Sequence, residues 1–280
     1  MMKSEYTRRE FLLLQLPSAI AAAQLTLMAR TSGAGNFLVI NILVWFCSLL
    51  LWIDQIQISS RLAWGRWAPL TLPLLLWVMV VLSRPHTLYD PLLNAIPLAT
   101  LTSLALLLPG SPWRALCLLG CLPALHYALI GLLPTEILAR ITASLTAQML
   151  WFGGRQVLAD GDLLLLPDHV LQVGPGCTGV NALSLCVASV VALLLLNGPL
   201  SLKRSAVLLF SAPVISMLVN AFRVGVLALM PVVQSASGVA ESSAFRFWHN
   251  GNGSTLFSLL SVSLLFALEH CLRYLQIRWP

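Results

Sequence analysis

The sequence predicts an all-α polytopic membrane protein of about eight transmembrane helices, with a small extracytoplasmic hairpin and an interfacial helix. Three observations predict it. Hydrophobic residues make up 58% of the 280 and charged residues only 9%, against about 25% charged in a soluble domain. Apolar runs with almost no charge recur along the chain at roughly the 20 residues that a bilayer crossing needs. The basic residues between those runs are shared unequally between alternate loops, as the positive-inside rule expects of a multi-pass chain.

In chain order the predicted spans are 11–29, 37–53, 67–82, 92–108, 115–133, 178–196, 205–230 and 254–272. Lys3, Arg8 and Arg9 precede the first run in the manner of a signal peptide. No small-residue cleavage pattern follows, so an uncleaved first helix is expected. With that basic flank in the cytoplasm, ten Lys and Arg fall inside: Lys3, Arg8, Arg9, Arg61, Arg66, Arg114, Lys203, Arg204, Arg273 and Arg278. Five fall outside, namely Arg30, Arg84, Arg140, Arg155 and Arg246. The chain is therefore read as a protein of the cell's inner (plasma) membrane, with the lipid bilayer as its surroundings. The net charge of +6 gives no dense basic patch with interleaved aromatics, so no nucleic-acid partner is expected.

Residues 135–152 could pass for a ninth span. They hold Glu136, Arg140, Thr142, Ser144, Thr146 and Gln148 among their apolar residues, which suits a helix at the membrane surface better than one in lipid. A ninth span would also move Lys203 and Arg204 outside. Asp160-Gly161 and Pro167-Asp168 then mark turns around Leu163–Leu166 and Val170–Val173, a hairpin pattern. Residues 135–176 thus read as an extracytoplasmic connection within a single domain covering 1–280, and 177–272 as the half that carries the candidate site residues.

That connection ends in Gly174-Pro175-Gly176-Cys177-Thr178-Gly179. Glycines on both sides of a cysteine let backbone approach a reacting group closely, and the helix that follows directs unsatisfied N–H groups toward the thiol. A buried structural cysteine after an ordinary turn is the competing reading. The other five cysteines lie within or at the ends of predicted spans, without CxxC pairs or histidines at metal spacing. Arg223 lies inside the seventh span, where a charge costs roughly 2.5 to 3.5 kcal/mol or more and marks a functional site by default. Asn220, three residues earlier, shares its helix face. His249, in Trp248-His249-Asn250-Gly251, precedes the last span.

Under this topology Cys177, Arg223 and His249 meet at the outer ends of three spans, whereas His126 lies within a span and His270 at an inner end. His169 and His86 are weaker candidates for a base, and Asp160, Asp162 and Asp168 read as turn residues. Cysteine, histidine and arginine together supply a nucleophile, a proton carrier and a cation for a developing oxyanion. The chemistry expected is acyl transfer through a thioester on Cys177, requiring no metal or organic cofactor.

Gly176-Cys177-Thr178-Gly179, Asn220-Ala221-Phe222-Arg223-Val224 and Trp248-His249-Asn250-Gly251-Asn252-Gly253 resemble the three signature blocks of the exosortase and archaeosortase family. The resemblance covers roughly residues 80–272, and the Gly-Pro-Gly-Cys wording is similar to the cyanobacterial branch. Thr178 stands where serine is common and keeps the hydroxyl. The resemblance implies a transpeptidase-like enzyme acting on membrane-anchored proteins that end in a Pro-Glu-Pro-type motif, one helix and a basic tail. It implies Cys177 as nucleophile, Arg223 and His249 as its partners, and Gly176, Thr178, Gly179, Asn220 and Asn250 as supporting residues. The rival reading, of another class, is a transporter or flippase whose Arg223 binds an anionic substrate; no internal symmetry of the kind such folds carry is visible. No HExxH or similar set points to a metalloprotease.

Overall fold

In the computed structural model the described residues are 2–30, 35–58, 78–79, 81–83, 91–107, 113–197, 202–230, 233–235, 238–240, 242–249 and 252–278. Most of the predicted span 67–82 lies outside them, as do His86 and Asn250. Nine helices are described: α1 (Met2–Arg30), α2 (Gly35–Ile58), α3 (Pro91–Leu107), α4 (Trp113–Leu132), α5 (Thr135–Phe152), α6 (Val180–Asn197), α7 (Leu202–Ala228), α8 (Ser243–His249) and α9 (Asn252–Arg278). Apart from 67–82, the apolar runs form helices, because a bilayer admits little else than a satisfied helical backbone; α1 starts earlier than read from sequence, at Met2, and α9 ends later, at Arg278. Among the described residues four segments are long and apolar enough to cross a membrane: Arg114–Leu132, Pro175–Leu196, Leu202–Ala228 and Ser243–Leu275. Phe37–Leu51 and Leu92–Ser103 are shorter apolar helices. The chain is a helical polytopic membrane protein.

It divides into two compact units, residues 1–127 with 191–199, and residues 128–190 with 200–280. In the first, buried Gln24 of α1 ties three helices together. Its amide nitrogen donates to Asn41 Oδ1 of α2 at 3.1 Å and to the Leu93 carbonyl of α3 at 2.8 Å. Its carbonyl oxygen accepts from Trp45 Nε1 at 2.7 Å. In an apolar bundle such bonds replace the hydrophobic force between helices that lipid removes.

The second unit holds the candidate site. Helix α5 buries Ala139, Thr142, Ala143, Thr146, Ala147 and Leu150, a stripe at helical spacing made mostly of small residues. Small side chains let backbones approach closely. The hydroxyl of Thr146 donates to the Ala221 carbonyl at 3.1 Å, while Leu150 and Thr146 pack on Gly225. Helices α5 and α7 consequently run in the same direction, side by side.

The other side of that stripe meets an antiparallel sheet of β1 (Leu158–Asp160), β2 (Leu163–Leu165) and β3 (Val170–Gln172), in spatial order β1-β2-β3. The register pairs Leu158 with Leu165, and Leu164 with Leu171. Period-two alternation sends Leu164, Leu171 and Val173 toward α5 and leaves Val170 and Gln172 exposed. Leu164 and Val173 join Ala139, Ala143, Cys177, Val224 and Leu227 in one core. A second hairpin pairs β4 (Val233–Ser235) with β5 (Gly238–Ala240).

Helices α7 and α9 pack along each other. At one end Glu269 of α9, 5% exposed, accepts from Arg204 of α7 and from Arg273. A carboxylate buried this deeply needs such cations, since its desolvation is otherwise uncompensated.

Candidate active site

The polypeptide enters the site from β3. Extended Gly174 precedes a 3-10 turn, Pro175–Cys177, closed by the Cys177 N–H donating to the Gly174 carbonyl at 2.8 Å. Proline's fixed φ suits the first position of such a turn. Thr178 then locks it, its hydroxyl donating to the Pro175 carbonyl at 3.0 Å. The hydroxyl expected at this position therefore has a backbone role. Gly179 follows with φ of +78°, and a Cβ there would lie 2.7 Å from the Asn220 amide nitrogen. Both the left-handed backbone and the close approach demand glycine. Helix α6 starts at once, with the Leu183 N–H donating to the Gly179 carbonyl at 2.9 Å.

Helix α7 holds this turn by its backbone. Asn220 and Arg223, three residues apart, point the same way. The Asn220 amide donates to the Cys177 carbonyl at 2.8 Å and reaches Thr142 Oγ1 of α5 at 3.5 Å. Thr142 in turn donates to the Thr178 carbonyl at 3.3 Å. Arg223 Nη2 donates to the Gly176 carbonyl at 2.9 Å. Two successive carbonyls, those of Gly176 and Cys177, are thus taken by two side chains of one helix.

Arg223 also fixes α9, Nη1 donating to Ser254 Oγ at 2.6 Å. It is 5% exposed, and the cysteine it adjoins is equally buried. Its Nε is buried and has no hydrogen-bond partner, and no carboxylate pairs with the guanidinium among the described residues. A buried guanidinium engaged only by neutral groups, with one donor left over, is costly to keep, and it stands where an anion would be stabilised.

His249 is the last residue of α8, a helix opened by Ser242, whose hydroxyl accepts from the Phe245 N–H at 3.1 Å. Phe245 and Trp248 pack against the core that contains Cys177. The His249 ring lies against Phe245, centroids 5.1 Å apart. A Cβ on Gly253 would meet Trp248 at 2.5 Å, so glycine lets α9 begin hard against α8. Asn220 and Arg223 thus hold the carbonyls of Cys177 and Gly176, Thr178 closes the turn on Pro175, and Phe245 and Trp248, beside His249 on α8, pack on the core that contains Cys177.

Thr142, Thr146 and Ser254 are the participants that the sequence reading missed. Thr142 and Thr146 carry a signal, two hydroxyls four residues apart on one face, which among Glu136, Arg140 and Gln148 reads as part of a helix at the membrane surface. Ser254 gave none beyond following the glycine of its block. His169 lies in the β2–β3 turn and lines a separate cavity of about 600 Å³ with Arg155 and Met230. Asp160 and Asp168 are exposed, and Asp162 accepts from Gln172 Nε2 at 3.0 Å. No group of three His, Cys, Asp or Glu able to hold a metal ion occurs among the described residues.

The sequence model of one family, described as transmembrane exosortase, matches residues 12–266. No curated protein and no solved structure matches the chain.

Proposed function

The chain belongs to the transmembrane exosortase family, and from this we propose that it is a membrane-embedded cysteine peptidase or transpeptidase with Cys177 as nucleophile. The observation that carries the reading is Arg223, buried beside the thiol with its Nε unpartnered. In the first step His249 takes the Cys177 thiol proton, the sulfur attacks a peptide carbonyl, and Arg223 stabilises the tetrahedral oxyanion. Collapse breaks the C–N bond and leaves a thioester, with His249 giving a proton to the departing amine. His249 then takes a proton from the incoming amine or water, which attacks the thioester, and returns that proton to the departing Cys177 sulfur as the C–S bond breaks.

The substrates would be membrane-anchored proteins ending in a short motif, one helix and a basic tail, as the family resemblance implies. The whole chain is read as one exosortase-like domain of the inner membrane, related to the cyanobacterial branch. Charge distribution supports an extracytoplasmic site, with the sheet on that side. The transporter reading also gives Arg223 an anion to bind, but it has no use for a cysteine whose backbone two helices hold.

The two readings separate in a cell that co-expresses a reporter carrying a Pro-Glu-Pro-type motif, a helix and a basic tail. Cys177→Ala abolishes its processing while the protein stays in the membrane, and mass spectrometry finds the reporter fragment as a thioester on wild-type Cys177. Undiminished processing by the alanine variant overturns the mechanism.

A further inference from the structure

Strand β3 runs directly into the nucleophile turn, and one of its edges is open. The Val173 N–H donates to the Asp162 carbonyl at 2.8 Å, and the Leu166 N–H to the His169 carbonyl at 2.9 Å. Antiparallel pairs alternate between bonded and non-bonded, so with these two pairs bonded, Leu164–Leu171 is bonded as well. Val170 and Gln172 then turn their N–H and C=O groups away from β2. The Gln172 carbonyl accepts from the Gly174 N–H at 3.0 Å. That leaves the N–H and C=O of Val170 and the N–H of Gln172 directed outward, in a row two residues apart. No strand covers them among the described residues, and both residues are exposed.

Where this edge ends, a cavity of about 440 Å³ opens between β3 and the first turns of α5. Gln172, Gly174 and Pro175 form one wall, Glu136 and Arg140 the other. Neither Glu136 nor Arg140 has an ion-pair partner among the described residues. The edge, the cavity and Cys177 therefore follow one another along the eight residues from Val170 to Cys177, the cavity wall stopping two residues short of the thiol.

We propose that the open edge of β3 is the docking strand for the substrate, which adds to the sheet as an extended peptide at Val170 and Gln172 and is led past the Glu136–Arg140 cavity to Cys177. This rests on the peptidase reading above and names the binding mode of that same site. Backbone pairing gives hold on an extended chain whatever its sequence, and the cavity takes a polar side chain of the segment next to the reacting bond. An irregular, polar stretch preceding a membrane helix is the occupant that fits, because it can extend fully and has no partner strand of its own.

The test uses the full chain with the Pro-Glu-Pro-type tail reporter. Gln172→Pro deletes one outward N–H, and an edge strand tolerates proline whose N–H faces away from its partner. Gln172→Ala keeps that N–H. Processing is expected to fall tenfold or more in the proline variant and by a factor at least three times smaller in the alanine variant, which loses the side chain but keeps the backbone donor, with maleimide labelling of Cys177 unchanged in both. Equal processing by Gln172→Pro and wild type overturns the docking strand, as does equal loss in both variants. A second measurement stands independently of how the proline variant folds. With Cys177→Ala holding the reporter uncut, p-benzoylphenylalanine in place of Val170 forms photo-adducts with the reporter segment that precedes its helix. Adducts confined to the reporter helix, or none, overturn the proposal. A wild-type chain that leaves the reporter uncut instead overturns the peptidase reading itself.

Discussion

Arg223 has three nitrogens and three situations: one donates to the turn, one to Ser254, and one has no partner. Lysine keeps the charge but cannot reproduce that fork. Arg223→Lys should therefore reduce processing by about 10² or more, the usual cost of a lost oxyanion donor, whereas Ser254→Ala, which leaves the guanidinium in place, should reduce it less than Arg223→Lys does. Comparing the two rates on one reporter checks this, and equal losses would mean that Arg223 serves only to hold α9. Gly179→Ala tests the turn from the other side. A left-handed backbone costs a non-glycine residue about 1–2 kcal/mol, and the added methyl runs into Asn220. A lower midpoint of thermal unfolding and slower processing are both expected, measured on the purified protein in detergent.

Among the elements, α5 differs most in use from what its composition announces. Its hydroxyls reach across to backbone carbonyls of α7 and of the Cys177 turn, so the polarity that marks it as a surface helix is directed inward. Ala143, fully buried between sheet and helix, leaves no room for more. Ala143→Leu should cost about 1–3 kcal/mol by overpacking, and Ser144→Leu on the exposed side should leave the unfolding midpoint unchanged. The apolar helices were legible because a bilayer dictates both their length and their composition. Strand β1 and helix α8 were not, having three and seven residues and thus too little periodicity to register. At the site, Arg223 could be read from the cost of burying charge and Asn220 from its spacing. The contributions of Thr142 and Ser254 exist only through contacts made by chain 78 and 31 residues away.

For the whole molecule the remaining question is the side on which each loop lies. Ten basic residues against five favour an external sheet, and a single cysteine reporter at residue 160 should be labelled by an impermeant maleimide from outside. Labelling only from the cytoplasm would reverse the site's placement and restore α5 as a span. The anchoring of the Cys177 turn has a wider effect. With the carbonyls of Gly176 and Cys177 both tied to α7, and Cys177 packed in the core beside them, the proposed nucleophile stands on a backbone held in one place. It presents one fixed direction of attack, and a planar carbonyl led to it along a fixed strand offers only one of its two faces. Substrate handedness would then follow from the geometry of the turn itself, without a pocket built to recognise it.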